Sequence, residues 1–116
     1  MWTSLVALLL FSQPTPLPDP LAAGWEGEAV CESLRDDEKM RVLRCTFPPG
    51  VGHERHFHAP HFGYAVTSGR MQITDADGTR VVDVPAGFSQ NNTGVEWHEV
   101  LNVGETTLIY LVVEPK

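Results

Sequence analysis

The sequence predicts an all-β domain built as a sandwich or a barrel. Its 116 residues fit one domain, and from residue 25 onward no stretch shows the helical spacing of apolar residues. Short segments of β-type residues alternate instead with turn signals at regular intervals, which is typical of sandwiches and barrels. The predicted strands cover residues 29–34, 40–47, 53–58, 62–67, 69–75, 79–84, 88–91, 95–103 and 106–113.

The connections between these strands contain residues suited to tight turns. Glycine, proline, asparagine and aspartate recur in them, at 48–52, 75–78, 85–87, 91–94 and 102–105. The last predicted strand, 106–113, is apolar at almost every position, and a strand with two apolar faces is covered on both. A second subunit or the N-terminal arm of the same chain could supply the outer cover, and we expect a homodimer.

The N-terminal residues 1–24 form a leader, and residues 25–116 form the β-domain. An apolar run from Leu5 to Phe11 is too short to span a membrane and precedes a segment with four prolines in eight residues. We expect a secretory signal peptide, cleaved after Ser12 or near Ala22-Ala23, although no Lys or Arg precedes the run. The protein would then be exported to a bacterial periplasm or secreted. A disordered hydrophobic leader or an arm that packs on a partner subunit is the alternative, and the protein would then be cytoplasmic.

The two cysteines, Cys31 and Cys45, lie in strands on either side of a charged turn. A hairpin centred on Glu38 places them directly opposite each other, within reach of a disulfide. Such a bond suits a small exported domain, and the alternative is a pair of reduced, buried thiols.

The charge of the chain argues against two classes of partner. The formal net charge is −7 and the isoelectric point is about 5.0. Nucleic acids and anionic membrane surfaces select basic faces, so we expect neither as a partner.

The histidines form the most informative cluster of the sequence. Four of the five lie within nine residues, at positions 53, 56, 58 and 61, and the fifth is His98. Side chains alternate along a strand, so His56 and His58 share a face, whereas His53 and His61 have different parity unless the register shifts at Ala59-Pro60. A His-x-His pair with a distant third histidine is a common way to present three imidazoles to a metal ion. A polar pocket without metal and a solvent-facing cluster are the alternatives.

Two spacings resemble the two motifs of the cupin family. The first is Gly50-x5-His56-x-His58-x3-Phe62-x6-Gly69, and the second is Pro85-x-Gly87 followed by His98-x3-Asn102. Gln90 occupies the simplest ungapped position of the second-motif histidine, but only His98 satisfies the His-x3-Asn spacing. The resemblance covers roughly residues 40–113. It implies a double-stranded β-helix, or jelly-roll, barrel in a single domain, usually dimeric. It also implies His56, His58 and His98 as ligands of a divalent metal ion, which could be Fe, Mn, Zn, Ni or Cu.

One position departs from the family pattern. Phe62 stands where the family most often has a glutamate ligand. His61 could replace it if Pro60 introduces a bulge, or Glu96, which shares strand parity with His98, could supply a carboxylate. A site of three histidines with open positions, or a barrel that has lost its metal, are the remaining alternatives.

The resemblance leaves three functions open. The first is a metal-dependent enzyme of the dioxygenase, isomerase or lyase type that acts on a small organic molecule. Glu96 is a candidate acid or base, and Tyr64 and Tyr110 are candidates for orienting a substrate. The second is a non-catalytic barrel that binds or senses a small ligand, with or without metal, and the third is an inert scaffold.

Overall fold

The computed structural model describes residues 16–116, so the apolar run and the candidate cleavage site after Ser12 lie outside the described part of the chain. This part is all-β, as predicted. Each predicted strand is present with ends within two residues of the prediction, and two short strands near residue 25 are additional. The strands are β1 (Gly24–Trp25), β2 (Glu28–Ala29), β3 (Cys31–Asp36), β4 (Met40–Phe47), β5 (Gly52–His58), β6 (His61–Ala65), β7 (Gly69–Asp75), β8 (Gly78–Val84), β9 (Ser89–Asn92), β10 (Val95–Asn102) and β11 (Leu108–Pro115).

The strands form two larger antiparallel sheets and a two-stranded one. One sheet has the order β5-β10-β7-β8, and the other has the order β3-β4-β11-β6-β9. Strands that are neighbours in each sheet are mostly distant in sequence, as a jelly roll requires. Strands β1 and β2 pair only with each other. Between residues 16 and 116 no helix is long and apolar enough to cross a membrane.

The core lies between the two larger sheets. In the five-stranded sheet, Leu43, Phe47, Leu108 and Val112 are at most 4% exposed. Met71 from β7 joins the same cluster from the facing sheet. Leu43 and Phe47 are four positions apart on β4, as are Leu108 and Val112 on β11, so each pair lies on one face of its strand and that face is directed inward.

The outer face of the five-stranded sheet is also apolar. Phe62 and Tyr64 of β6 and Val66 just after it lie at alternate positions and are 39–44% exposed. Leu111 and Val113 of β11 lie opposite Tyr64 and Phe62. The apolar character of the last strand therefore reflects a buried inner face and a half-buried outer face, and the homodimer stays a prediction.

The disulfide between Cys31 and Cys45 is confirmed. The two residues are direct partners in the ladder between β3 and β4, and their sulfur atoms are bonded. A bulge between Ser33 and Arg35 shifts the register nearer the turn. The predicted pairing therefore holds for the cysteines although the hairpin is not regular throughout.

A short segment before β1, which we call the strap (residues 18–23), packs onto the barrel. The backbone N–H of Phe57 in β5 donates to the Pro18 carbonyl, and the Asp19 carboxylate pairs with Arg41 of β4 at 2.8 Å. Pro20 is fully buried. Prolines exclude a helix, but an extended proline-containing segment can still pack against a sheet. The strap thus joins the two sheets, although its residues were expected in the leader.

Candidate metal centre

Two β-bulges place the histidines on the inner surface of the barrel. Strands β5 and β10 pair His56 with His98, and the register shifts on both sides of this pair. On β5 the extra residue falls between His53 and His56, so both histidines are directed inward in spite of their odd spacing. His53 is 3% exposed and His56 is fully buried. The sequence prediction that His53 and His56 have different parity is therefore wrong, because alternation fails at a bulge.

The three predicted ligands converge. The Nε2 atoms of His56 and His58 are 3.0 Å apart, those of His58 and His98 are 3.1 Å apart, and those of His98 and His56 are 3.0 Å apart. Together the three residues form a group able to hold a metal ion. The structure thus brings His98, and not Gln90, to the pair on β5.

Neutral histidines cannot make all three of these Nε2–Nε2 contacts into hydrogen bonds. The Nδ1–H of His56 donates to the Glu54 carbonyl at 2.6 Å, so its Nε2 presents only a lone pair. His58 and His98, when neutral, can each bring at most one hydrogen to the centre, so at least one of the three contacts is not a hydrogen bond and sets either two lone pairs or two N–H groups against each other. Nδ1 of His58 is buried and has no partner within the described residues. A cation accepts all three lone pairs at once.

The spacing of the three nitrogens also fits a metal ion. Nitrogen ligands lie about 2.1 Å from ions such as zinc. Three of them at adjacent positions of an octahedron, about 90° apart, would lie about 3.0 Å from one another. The residues present therefore fit the divalent ion that the cupin resemblance implies.

The electrostatics keep the imidazoles neutral, as metal ligands must be. Burial, followed by the neighbouring His56 and His98, lowers the pKa of His58 to about 2. Burial, followed by His56, lowers the pKa of His98 to about 3. Burial also lowers the pKa of His56, although its hydrogen bond to Glu54 opposes the effect. At neutral pH the three imidazoles are uncharged, so protons compete little with a metal ion for their nitrogen atoms.

His53 lies behind the three ligands. Its Nε2–H donates to the Pro20 carbonyl in the strap at 2.9 Å, and its ring stacks on that of His56 with centroids 3.8 Å apart. Burial, followed by His56, lowers its pKa to about 4. His53 therefore holds the ring of His56 in place by direct contact, as residues next to metal ligands commonly do.

His61, the possible additional ligand, lies beside the group and outside it. Its ring centroid is 4.7 Å from that of His58, and its Nδ1–H donates to the Ala59 carbonyl at 2.8 Å. It is 7% exposed on the inner face of β6. The ring is thus directed into the barrel, where Nε2 is its only free nitrogen.

Three other sequence candidates face outward. Phe62 and Tyr64 are each 39% exposed on the outer face of β6. Position 62 is therefore not an inner position, because His61 and Gly63 are the inward residues there. Glu96 is exposed, since the bulge on β10 directs Val95 and His98 inward and turns the residues between them away. The parity argument for Glu96 fails for the same reason as the one for His53.

Tyr110 is the tyrosine inside the barrel. Together with the histidines it lines a cavity of about 670 Å³ between the two sheets. Gln90 Nε2 donates to the Tyr110 hydroxyl at 3.4 Å, and burial raises the pKa of Tyr110. Gly63 makes room for the ring, because a Cβ there would lie 2.7 Å from Tyr110 Cζ. Tyr64 and Tyr110 were both candidates in the sequence, and only the pairing of β11 with β6 shows that Tyr110 is the one inside the barrel.

The charged residues that line the cavity are paired with one another or with a neighbour. Arg80 pairs with Asp75 at 3.0 Å, and Asp83 pairs with Arg70 at 2.8 Å. Most of the remaining lining is apolar, including Phe47, Ile73, Val82, Leu108 and Val112. A metal ion at the three histidines would therefore be the main uncompensated charge in this space.

Comparison with known proteins identifies the fold through solved structures alone. No protein-family model and no curated protein matches the sequence. Among solved structures, a cupin domain from Bordetella pertussis Tohama I is 21% identical over 89% of this chain and 99% of that chain, with a TM-score of 0.70. The polyketide cyclase RemF from Streptomyces resistomycificus is 19% identical over 99% of this chain and 80% of that chain, with a TM-score of 0.62.

A third similar structure is a predicted oxalate decarboxylase from Thermotoga maritima. It is 22% identical over 74% of this chain and 79% of that chain, with a TM-score of 0.53. At such identities the likeness concerns the fold and leaves the reaction open. The chain therefore has the fold of a small cupin-type domain, a jelly-roll barrel, as its two motifs predicted.

Proposed function

We propose that the barrel binds one divalent transition-metal ion at His56, His58 and His98 and acts on a small organic molecule held beside it. The convergence of three Nε2 atoms within 3.1 Å is the observation that carries this proposal. When bound, such an ion polarises an oxygen ligand and, if redox-active, transfers electrons. Two of the similar structures are described as a cyclase and a predicted decarboxylase, which supports an enzymatic role for the fold.

The residues of the chain have distinct parts in this function. The hydrogen bond from His56 to Glu54 selects the tautomer whose Nε2 is directed at the centre. The apolar lining excludes water from the ligand, which strengthens each polar interaction inside the cavity. The Tyr110 hydroxyl stays protonated at neutral pH, because burial raises its pKa, and can donate to the ligand.

A second candidate function is a ligand-binding or sensing barrel without turnover. One observation favours it: both carboxylates that line the cavity, Asp75 and Asp83, are engaged by arginines. Residues 16–116 therefore offer no free carboxylate beside the histidines as a general base. An enzyme built on this site would depend on the metal, or on a group of the substrate itself, for proton transfer.

Elemental analysis tests the metal site. We expect near one equivalent of metal in the purified protein and none in a His56→Ala/His98→Ala variant. His61→Gln is the matched control, because it changes a buried histidine outside the group and should retain the metal. A folded wild-type protein that takes up no divalent metal would overturn the proposal.

Incubation of the protein with candidate compounds, followed by mass spectrometry of what is recovered, distinguishes the two candidate functions. A compound that perturbs the absorption spectrum of the cobalt-substituted protein and is then converted indicates an enzyme. A compound that raises the melting temperature in proportion to RT ln(1 + [L]/Kd) and is recovered unchanged indicates the binding barrel.

A further inference from the structure

The polar groups of the cavity restrict the class of ligand that it can hold. We propose that the barrel takes a ring-sized apolar organic acid that carries one anionic oxygen for the metal and a second, uncharged oxygen for Tyr110. This inference rests on the proposed metal site and adds the substrate class to it. It follows from three features of the cavity, which concern its charge, its free hydrogen-bond donor and the distance between its two polar sites.

The charge of the cavity admits one anionic group. Three neutral imidazoles leave the charge of a divalent ion uncompensated, so the ion attracts an anionic oxygen such as a phenolate, an enolate or a carboxylate. Arg80 is the only Lys or Arg among the described lining residues, and Asp75 already pairs with it at 3.0 Å. A second carboxylate would therefore be buried without a counter-ion, which is unfavourable.

The donor for the second oxygen is the Tyr110 hydroxyl. Gln90 donates to its oxygen, and within residues 16–116 no protein acceptor lies in reach of its own hydrogen. The hydroxyl therefore has one hydrogen without a protein acceptor in a mostly apolar cavity, where an unpaired polar group is costly. A ligand hydroxyl or carbonyl that accepts this hydrogen satisfies it.

The two polar sites lie close enough for one rigid ligand. The Tyr110 ring packs over Gly63, where a Cβ would lie 2.7 Å from Cζ and 2.8 Å from Cε2. His61 is the preceding inward residue of β6, roughly 7 Å along the strand, and its ring lies 4.7 Å from that of the ligand His58. The cavity of about 670 Å³ is within the range of sites that enclose organic ligands. A molecule of one to a few fused rings suits this distance and the apolar walls between the two sites.

A matched set of fluorescent naphthalenes tests the proposal. 6-Hydroxy-2-naphthoate carries both required oxygens, 2-naphthoate lacks the second, and naphthalene-2,6-dicarboxylate places a charge there. We expect the hydroxynaphthoate to bind the metal-loaded protein about tenfold more tightly than either of the others. Titration by fluorescence, with oxalate as a small dicarboxylate competitor, measures the order.

The two tyrosines of the chain provide the variants. Tyr110→Phe keeps the ring and should weaken the hydroxynaphthoate about tenfold while leaving 2-naphthoate unchanged. Tyr64→Phe, on the outer face, should leave both affinities unchanged. Equal losses of both compounds in Tyr110→Phe, or no loss of either, would overturn the assignment of the second oxygen.

Two further results would overturn the ligand class. One is tighter binding of oxalate or of the naphthalene dicarboxylate that is lost in Arg80→Gln, because Arg80 would then be a free anion site. The other is that Tyr110→Phe leaves the affinities of the whole naphthalene series unchanged, both with and without added metal. Metal uptake is measured separately, so failure of the metal site and failure of the ligand class give different results.

Discussion

The two walls of the cavity differ in how firmly their polar groups are held. On the four-stranded sheet, His56 donates to the Glu54 carbonyl at 2.6 Å and stacks on His53, which in turn donates to Pro20. On the five-stranded sheet, the Tyr110 hydroxyl has a single long contact of 3.4 Å with Gln90. The first wall has its geometry set before anything binds, as a metal site requires, and the second leaves a donor free to adapt to a ligand.

Part of the support for the histidine wall comes from outside its own strands. The strap supplies the acceptor for His53, and the disulfide lies near the same ring, with Cys31 Sγ 4.0 Å from His53 Nε2. On the outer surface, Arg55 from the β5 bulge lies 3.9 Å above the Trp97 ring from the β10 bulge. In the tyrosine wall, Cys45 of the same disulfide lies directly opposite Tyr110, but among the described residues the Tyr110 hydroxyl itself has only its contact with Gln90. The comparison therefore predicts that changes behind His53 affect the metal and that changes near Tyr110 do not.

The largest expected effect comes from removing the disulfide. Replacing both Cys31 and Cys45 by alanine should lower the free energy of unfolding by about 3 kcal/mol, because the bond closes a loop of about 15 residues. Urea unfolding with and without reducing agent measures this change, and the double variant should not respond to the reductant. An unaltered unfolding curve for the reduced wild-type protein would contradict the prediction.

The same variant also tests whether the disulfide supports the histidine wall. If the disulfide only stabilises the five-stranded sheet, the folded variant should retain near one equivalent of metal. A loss of metal in the folded protein would show that the disulfide belongs to the support of the histidine wall.

A smaller effect is expected from His53. His53→Phe keeps an aromatic ring beside His56 but loses the hydrogen bond to Pro20, so we expect metal affinity to fall about tenfold to a hundredfold. Competition with a chelator measures the affinity, and the spectrum of the cobalt-substituted protein reports a change at the ligands that a loss of stability alone would not produce. Tyr110→Phe is the control and should leave both unchanged.

The opposite result is equally informative. If His53→Phe binds metal as the wild-type protein does and Tyr110→Phe does not, the comparison between the two walls is reversed. His53→Gln, which restores a donor but not the stacked ring, then separates the hydrogen bond from the ring contact.

The strands and the convergence of three histidines were predictable from the sequence because they depend on local patterns. Short β-type segments between turn residues gave all nine predicted strands, and the spacing around His56, His58 and His98 predicted the three histidines that the structure brings together. The cysteine pairing was predictable too, because a hairpin relates its residues by simple counting. In each case the information lies within one segment or in a motif spacing.

The remainder depends on features that do not leave a local signal. Bulges inserted one residue into β5 and one into β10, which turned His53 inward and Glu96 outward. Which tyrosine lines the cavity depends on the register between β11 and β6, strands far apart in sequence. The strap was hidden because its prolines have the composition of a linker, although Pro20 is buried in the barrel. The homodimer and export stay predictions.

The smallest expected effect concerns the anchor of the strap. Asp19 accepts a hydrogen bond from the Ala22 N–H and pairs with Arg41, which also pairs with the buried Glu114. Burial opposes ionisation of Asp19, but the hydrogen bonds from Ala22 and Arg41 outweigh it and lower its pKa. A carboxyl whose pKa is lowered by folding stabilises the protein above its usual pKa, and this contribution is lost as the pH falls through the lowered value.

Asp19→Asn isolates the charge, because the amide oxygen can still accept from Ala22. We expect it to lower the free energy of unfolding by up to about 1 kcal/mol at neutral pH. The difference from wild type should shrink as the pH falls from about 4, the usual pKa of the carboxyl in the unfolded chain, through the lowered pKa of Asp19 in the folded protein. Thermal unfolding at pH 7, 5 and 3.5 measures this difference, and a difference that is constant with pH would show that the charge does not hold the strap. Metal affinity should change less than in His53→Phe, because Pro20 remains to accept from His53 and the strap is held by its buried proline as well as by its charge.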